Sequence, residues 1–211
     1  MGTSWGFVRG FERFSLCDWP GRNACVLFLG GCTLRCPSCH NAELAWRPHL
    51  LPSVRQADVE ARVLACKNWL DGIVVSGGEP TESPKLFPLL EELKNLNLPI
   101  KVDTNGLRPD VVSQIFEQGL AEAFSVDLKG PFAKYPHLTG NRVDGETARK
   151  RLEAVFRLAE KAPDAFRFRL TKVPGLTDED VAEARECLPH GFTLAIQDYQ
   201  PPRREHAQPD S

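Results

Sequence analysis

The chain has 211 residues, of which 42% are hydrophobic and 26% are charged, and its net charge is −2 at pH 7. This length and composition predict a single soluble domain with a sizeable core. The near-neutral charge indicates neither a nucleic-acid partner nor an anionic membrane surface. No segment has the roughly 18 apolar residues that span a membrane, and residues 1–12 have no apolar core of signal-peptide length. We therefore expect a cytoplasmic protein.

Cysteine usage also indicates a reducing compartment. The chain has seven cysteines, an odd number, and three of them (Cys32, Cys36 and Cys39) lie in one short segment. This argues against a disulfide framework. The other four (Cys17, Cys25, Cys66 and Cys187) are scattered and are interpreted as small buried residues. At most one iron–sulfur cluster is expected.

Apolar strand patterns alternate with helical patterns along the chain. Residues 5–16 alternate loosely and predict a strand or hairpin, and residues 23–29 form an apolar run typical of a strand buried on both faces. Further strands are predicted at residues 72–76, 100–104, 123–129, 166–172 and 192–197, and helices begin near residues 54, 83, 109, 144 and 177. Ser83, Asp144 and Thr177 are the predicted N-caps. Residues 1–200 then form one domain, and residues 201–211 form a polar, proline-rich tail that we expect to be disordered.

Strands and helices alternate about six times, which is typical of βα units around a parallel sheet. This is fewer than the eight units of a closed barrel. The fold class is therefore α/β, as a partial barrel or an open doubly wound sheet.

Polar side chains share one face of the later strands, because side chains alternate between the two faces of a sheet. The polar face carries Lys101, Asp103, Ser125, Asp127, Lys129, Arg167, Arg169, Thr171, Thr193 and Gln197. Ligands of parallel β/α folds bind at the carboxyl ends of the strands, and buried charges need polar partners. The pattern indicates a site for a zwitterionic, polyhydroxylated ligand. The alternative is one edge of an open sheet that faces water.

The three clustered cysteines directly follow the strand at residues 23–29, with the spacing Cys-x-x-x-Cys-x-x-Cys. Structural zinc takes four ligands, and a 4Fe–4S cluster normally takes four cysteines, so three cysteines leave one iron open for a substrate or cofactor. The alternative is a zinc site completed by His40, Cys17 or Cys25. His40 directly follows Cys39, which makes joint ligation of one metal awkward.

This segment resembles the signature of the radical S-adenosylmethionine (SAM) family. The resemblance implies a partial (β/α)6 barrel of the radical SAM type, with one 4Fe–4S cluster held by Cys32, Cys36 and Cys39. It also implies that SAM chelates the open iron and is split by an electron from the cluster into methionine and a 5′-deoxyadenosyl radical. Gly77-Gly78-Glu79 matches the family's Gly-Gly-Glu segment, whose backbone is implied to bind the methionyl amino group. Glycine lets a ligand approach the backbone closely.

Further motifs resemble a narrower group, the activating enzymes of glycyl-radical enzymes. These motifs are Asp18-Trp19-Pro20-Gly21, His40-Asn41, Asp103-Thr104-Asn105-Gly106, Asp127-Leu128-Lys129, and Arg169 ahead of Val173-Pro174-Gly175. With the short length, they most resemble the anaerobic ribonucleoside-triphosphate reductase activating proteins. The SAM contacts implied are Ser38, Cys39, His40, Gly77, Gly78, Glu79, Thr104, Asn105, Asp127, Leu128, Lys129, Arg169 and Gln197.

The polar face also includes residues that could bind a monovalent cation. In the pyruvate formate-lyase activator type, the equivalents of Asp103, Thr104 and Asp127 also hold a monovalent cation, and their oxygens suit a hard cation. The alternative is a carboxylate cluster hydrogen-bonded to Lys129.

Two positions depart from the pattern: Ser38 stands where an aromatic residue is usual, and Gln197 stands where that type has a ribose-contacting histidine.

The resemblance thus implies a radical SAM oxidoreductase that generates a glycyl radical on a partner enzyme. Anaerobic ribonucleoside-triphosphate reductase is the expected partner, and a flavodoxin or ferredoxin is the expected electron donor. No general acid or base is predicted, because the cluster and SAM supply the chemistry. One alternative is a small-molecule enzyme such as 7-carboxy-7-deazaguanine synthase, against which the Asp103 and Asp127 motifs argue. The other is a non-enzymatic zinc or iron–sulfur binding module.

Overall fold

A seven-stranded sheet organises residues 4–201, the part of the chain that the computed structural model describes. The strands lie side by side in chain order: β1 (Val8–Ser15), β2 (Ala24–Leu29), β3 (Gly72–Gly77), β4 (Ile100–Thr104), β5 (Ala123–Asp127), β6 (Phe166–Lys172) and β7 (Leu194–Asp198). β1 is antiparallel to β2, and every later pair is parallel. The predicted α/β fold with a partial β/α barrel is confirmed. The predicted tail lies, except for Pro201, outside the described residues.

Helices connect the parallel strands as the alternating pattern predicts. They are α1 (Ala42–Trp46), α2 (Gln56–Ala65), α3 (Leu86–Lys94), α4 (Pro109–Glu117), α5 (Tyr135–Leu138), α6 (Gly145–Lys161) and α7 (Asp178–Glu186). Between residues 4 and 201, none of them combines the length and the apolar character that a membrane crossing requires.

Two of the three predicted N-caps are confirmed. The Asp144 side chain accepts the Thr147 N–H at 2.8 Å at the start of α6, and Thr177 forms a reciprocal capping box with Asp180 at the start of α7. The Ser83 prediction is wrong, because Pro80–Glu82 forms a 3-10 turn and the helix begins only at Leu86.

Several predicted boundaries also differ from the structure. Residues 5–7 belong to a 3-10 turn, which Glu92 holds by accepting hydrogen bonds from the Ser4 hydroxyl and the Trp5 indole at 2.7 and 2.6 Å. α2 ends at Ala65 rather than near residue 70. β5 ends at Asp127, because the Lys129 N–H leaves the sheet and donates to the Tyr135 hydroxyl at 3.1 Å.

The two faces of the sheet differ in composition, as the alternation predicts. The outer face packs apolar strand residues against the helices, including the buried leucines of α3 (Leu86, Leu89, Leu90 and Leu93). On the inner face, at the amino ends of β2 and β3, a small apolar cluster of Trp19, Ala24, Val26 and Val74 fills the space. The inner face of β2 and β3 therefore begins apolar, while Lys101 near the start of β4 lies opposite Val74 of this cluster.

Candidate active site

A cavity of about 230 Å³ lies at the carboxyl ends of the parallel strands, where β/α folds bind their ligands. It is lined by most of the residues predicted from sequence: Cys32, Cys36, Ser38, Cys39, His40, Gly77, Gly78, Glu79, Asp103, Thr104, Asn105, Asp127, Leu128, Lys129 and Arg169. Gln197 is exposed and does not line it. Its side-chain oxygen lies 3.4 Å from the hydroxyl of Thr171, which does line the cavity.

The cysteine segment is held by bonds that the sequence analysis did not predict. The Arg35 guanidinium donates to the carbonyls of Cys32 and Leu34 at 2.7 and 2.8 Å, and its backbone N–H donates to the Thr139 carbonyl at 3.0 Å. The Trp46 indole also donates to the Leu34 carbonyl at 3.0 Å, and its ring lies under the guanidinium. The Arg35 side chain binds its own loop, whereas Trp46 and Thr139 reach the loop from later parts of the chain, so no local sequence pattern reveals these two contacts.

The thiols of the segment are partly buried. Burial raises the pKa of Cys32 to about 12 and also raises that of Cys36, while the Lys129 ammonium opposes the rise in both. Cysteine binds a metal as the thiolate. Binding of a metal or cluster by this segment must therefore release the thiol protons.

The donor set at the cavity is three thiols without a fourth cysteine. Cys25 is buried among apolar residues of the core, and Cys17 is exposed beyond the end of β1, at the opposite end of β2 from the cysteine segment. Within residues 4–201, no three His, Cys, Asp or Glu side chains come close enough to hold one metal ion. The cysteines of a 4Fe–4S cluster each bind a different iron, so three cysteines fit a cluster with one open iron position.

Glu79 anchors the Gly-Gly-Glu segment to the end of β4. One carboxylate oxygen accepts the Thr81 N–H at 3.1 Å, the Thr81 hydroxyl at 2.6 Å and the Thr104 hydroxyl at 2.7 Å. The other oxygen accepts the Asn105 N–H at 2.7 Å. Burial raises the pKa of Glu79, and these four donors oppose the rise. The Glu79 side chain therefore holds the Gly-Gly-Glu segment, which forms part of the cavity wall, against the end of β4.

Gly77 and Gly78 bring this segment against the cysteine loop. The N–H groups of Gly78 and Glu79 donate to the carbonyls of Leu29 and Gly31 at 2.9 and 2.8 Å. A Cβ at Gly78 would overlap the Gly31 carbonyl, and Gly77 has a φ of 122°, which favours glycine. The glycines therefore serve the close packing of two loops, in addition to the approach of a ligand.

A layer of charged side chains forms the cavity floor and the region below it. Arg169 donates to Asp127 and, at 3.2 Å, to Asp103. The Lys129 ammonium lies 3.7 Å from Asp127, and the Lys101 ammonium donates to Asp103. Burial alone would raise the pKa of Asp127, but Arg169 and Lys129 hold it below its usual value. The predicted polar face is therefore present, and its charges near the cavity (Lys101, Asp103, Asp127, Lys129 and Arg169) are paired.

The cavity rim includes residues that the sequence analysis missed. His137 and Leu138 come from the single-turn helix α5, which is too short to produce a periodic sequence pattern. Val173 and Pro174 follow β6 and belong to a motif that was named from the sequence but not predicted to line the site. The His40 ring stacks on Tyr199 with 4.9 Å between ring centres.

Comparison with known proteins identifies the family. The family described as "Radical SAM superfamily" matches residues 26–188. This chain belongs to the radical SAM superfamily. Membership implies the two cofactors of these enzymes, a 4Fe–4S cluster and SAM, and the three-cysteine donor set at the cavity fits the cluster.

Curated relatives narrow the similarity. A Methanocaldococcus jannaschii protein named "Putative glycyl-radical enzyme activating enzyme" is 30% identical over 196 residues, which are 92% of this chain and 80% of that protein. The pyruvate formate-lyase-activating enzyme of Staphylococcus aureus is 34% identical over 48% of this chain and 42% of its own length. The 7-carboxy-7-deazaguanine synthase of Synechocystis is 33% identical over 43% of this chain and 42% of its own length.

The fold recurs in solved radical SAM enzymes. Streptococcus suis SuiB, bound to S-adenosylmethionine, superimposes with a TM-score of 0.55 at 17% identity, over 83% of this chain and 38% of SuiB. At this identity the likeness concerns the fold alone.

Proposed function

We propose that this radical SAM enzyme generates a glycyl radical on a partner enzyme. The observation that carries the proposal is the Methanocaldococcus relative, because its similarity extends over 92% of this chain rather than over the cysteine segment alone. The activating-enzyme motifs at residues 103–106 and 127–129, both at the cavity, support the same activity.

Cys32, Cys36 and Cys39 are the proposed cluster ligands, and the Gly77-Gly78 backbone is the proposed contact for the amino acid part of SAM. When bound, the cluster and SAM would supply the chemistry: the reductive cleavage of SAM to a 5′-deoxyadenosyl radical that abstracts a hydrogen atom. Fixed charges suit a zwitterionic ligand because they are oriented before it binds.

The other predicted SAM contacts extend around the same cavity. Asp127, Lys129 and Arg169 offer these fixed charges, while Ser38 and His40 are the proposed contacts of the adenosine. The remaining proposed contacts are Cys39, Glu79, Thr104, Asn105 and Leu128, which line the cavity, and Gln197, which lies outside it beside Thr171. Of these, Glu79 and Thr104 hydrogen-bond each other, so their contribution is to hold the wall in place.

The sheet gives a peptide segment room to approach. β1 and β7 are the edges of the sheet and do not pair with each other, so the barrel is open on that side. The rim loops with His137, Leu138, Val173 and Pro174 present a mixed polar and apolar surface above the cavity. A backbone glycine has no side chain to anchor, so we infer that the partner supplies most of the surface that positions it.

Anaerobic ribonucleoside-triphosphate reductase is the partner that we propose, with a flavodoxin or ferredoxin as the electron donor. The motifs that resemble these activating proteins, at residues 103–106 and 127–129, support this choice. The sequence prediction of a monovalent cation at Asp103, Thr104 and Asp127 is untested, and the charges around these residues bear on it below.

The test is anaerobic. The protein is reconstituted with iron and sulfide, reduced and supplied with SAM, and 5′-deoxyadenosine is measured with and without the reductase. A glycyl-radical signal on the reductase, absent when its radical-bearing glycine is replaced by alanine, is the expected result. Cys36→Ala should be inactive, while Cys66→Ala, whose thiol lies away from the cavity, should retain activity. Deoxyadenosine without a glycyl radical would overturn the proposed substrate.

The second candidate is a small-molecule radical SAM enzyme. The Synechocystis relative favours it, although the similarity covers less than half of either protein. Deoxyadenosine formed with the small-molecule substrate of that relative, but not with a glycyl-radical enzyme, would select this candidate. Family membership removes the basis for a non-enzymatic metal-binding module.

A further inference from the structure

We propose that the ammonium group of Lys101 is a built-in counter-ion below the SAM site, and that it takes the place of a bound monovalent cation. SAM binding by this protein then needs neither Na⁺ nor K⁺. The inference rests on SAM binding, which the superfamily shares, and is independent of the partner enzyme.

The position of Lys101 follows from the alternation of β4. Lys101 precedes Asp103 by two residues, so both side chains lie on the inner face of the sheet. The lysine side chain is only 3% exposed. Its ammonium donates to one carboxylate oxygen of Asp103 and, at 3.0 Å, to the Ser125 hydroxyl on the neighbouring strand. The ammonium thus supplies a buried positive charge next to two protein oxygens, a carboxylate and a hydroxyl, which are groups that also bind alkali ions.

Asp103 connects this buried charge to the cavity. Lys101 itself does not line the cavity, whereas Asp103 does. The second oxygen of Asp103 accepts a hydrogen bond from Arg169, so both oxygens of the carboxylate already have a cationic partner. The Thr104 hydroxyl, the third group predicted for an ion, donates to Glu79. The Asp103 and Thr104 oxygens expected to bind an ion are therefore engaged by groups of the protein, and Asp127 keeps one oxygen without a hydrogen bond from the described residues, 3.7 Å from the Lys129 ammonium.

The ion pairs of the layer leave no unpaired carboxylate for a cation to compensate. Two carboxylates (Asp103 and Asp127) are linked to three cations (Lys101, Arg169 and Lys129). Without Lys101, Asp103 would keep only Arg169 as a cationic partner and would share it with Asp127. With Lys101 present, a further cation would enter a layer without excess negative charge and would lose its hydration for little gain.

The direct test is SAM binding by the reconstituted wild-type protein, measured by anaerobic titration calorimetry. The dissociation constant is compared in choline, sodium and potassium chloride at one ionic strength, so that general screening is equal. We expect the three dissociation constants of SAM to agree within about twofold. A tenfold difference would require an additional interaction between the added cation and the SAM site. An affinity that rises about tenfold or more with Na⁺ or K⁺ would overturn the proposal.

Two variants of Lys101 separate the charge from the space that it occupies. Lys101→Ala leaves room for a small cation, and Lys101→Met fills the space with an uncharged chain of similar length. In choline chloride we expect both to bind SAM about tenfold more weakly than wild type, since an anionic partner loses its counter-ion. Potassium or ammonium should restore binding to Lys101→Ala and not to Lys101→Met, and should raise the unfolding temperature of Lys101→Ala alone.

Unaltered SAM binding by Lys101→Ala in choline chloride would contradict the proposed role of the lysine. If either variant fails to fold, as judged by circular dichroism, the wild-type comparison alone decides. None of these measurements uses the partner enzyme. A wrong choice of partner therefore leaves this result unchanged.

Discussion

Glu79→Gln is the substitution that most directly tests how the cavity wall is held. Glutamine has nearly the same shape as glutamate, but one of its two terminal groups is an NH₂ donor. In the structure both carboxylate oxygens face backbone N–H donors, of Thr81 on one side and Asn105 on the other. Either orientation of the glutamine amide therefore places a donor against a donor.

The magnitude follows from the number of donors on each oxygen. The less costly orientation keeps the amide oxygen toward Thr81 and Thr104, with three hydrogen bonds, and turns the NH₂ toward the Asn105 N–H. This loses one hydrogen bond to a charged acceptor and leaves a buried N–H unpaired, for a total of about 3 kcal/mol. For a chain of this size, that loss lowers the unfolding temperature by about 9 °C.

Thermal unfolding of the reconstituted protein, followed by far-UV circular dichroism, measures this loss. Glu82→Gln is the matched control, because Glu82 lies in the same turn but makes only long contacts, at 3.4 Å to Thr33 and 3.6 Å to Arg108. We expect the control to unfold within about 1 °C of wild type. If Glu79→Gln were as stable as the control, Glu79 would be a neutral acid in the folded protein, and the carboxylate account of the wall would be refuted.

Three further predictions concern the cluster segment and the charged layer. Cys36→Ala should lower bound iron well below the roughly four per chain of a complete cluster, measured by anaerobic metal analysis, and iron retention equal to Cys66→Ala would contradict the ligand assignment. Trp46→Phe keeps an aromatic side chain, although a smaller one, and removes the bond to the Leu34 carbonyl, so urea unfolding should show a loss of at least about 1 kcal/mol; an unchanged midpoint would show that this bond does not hold the loop. The pKa of Asp127 is lower in the folded protein than in the unfolded chain, so its stabilising charge is present above the unfolded pKa and is lost as pH falls through the folded value. Acid titration below about pH 4 should therefore reduce the stability of wild type more steeply than that of Asp127→Asn, and parallel curves would contradict this.

The strands and most helix starts were predictable because their signals are local. The apolar run before the cysteines, the acidic first turn after Thr177 and the Asp144 cap each act within a few residues. The convergence of site residues was also predictable, since parallel strands bring their carboxyl ends to one edge. Residues as far apart as 32 and 169 therefore line one cavity.

The remaining features depend on contacts that local patterns do not contain. The sequence analysis weighed Lys129 as a hydrogen-bond partner for the carboxylates, but did not pair Lys101 with Asp103, although both were assigned to one face. It interpreted the Gly-Gly-Glu glycines through ligand approach, whereas Gly78 is also required by the Gly31 carbonyl on the neighbouring loop. The Arg35 contact with Thr139 joins segments separated by most of three βα units, and only the folded chain reveals it.

The charged layer itself argues that this sheet is built for a ligand. The inner face begins with an apolar cluster around Trp19, so apolar filling is compatible with the width of the barrel. Replacing buried ion pairs by well-packed apolar residues is often neutral or stabilising for the fold. Stability alone therefore does not explain why this layer is charged. Asp127 and Arg169 remain partly open to the cavity, at 30% and 21% exposure, while Lys101 is sealed beneath them. The exposed members can exchange water for a charged ligand, and the sealed Lys101 keeps its ion pair with Asp103 before and after that exchange.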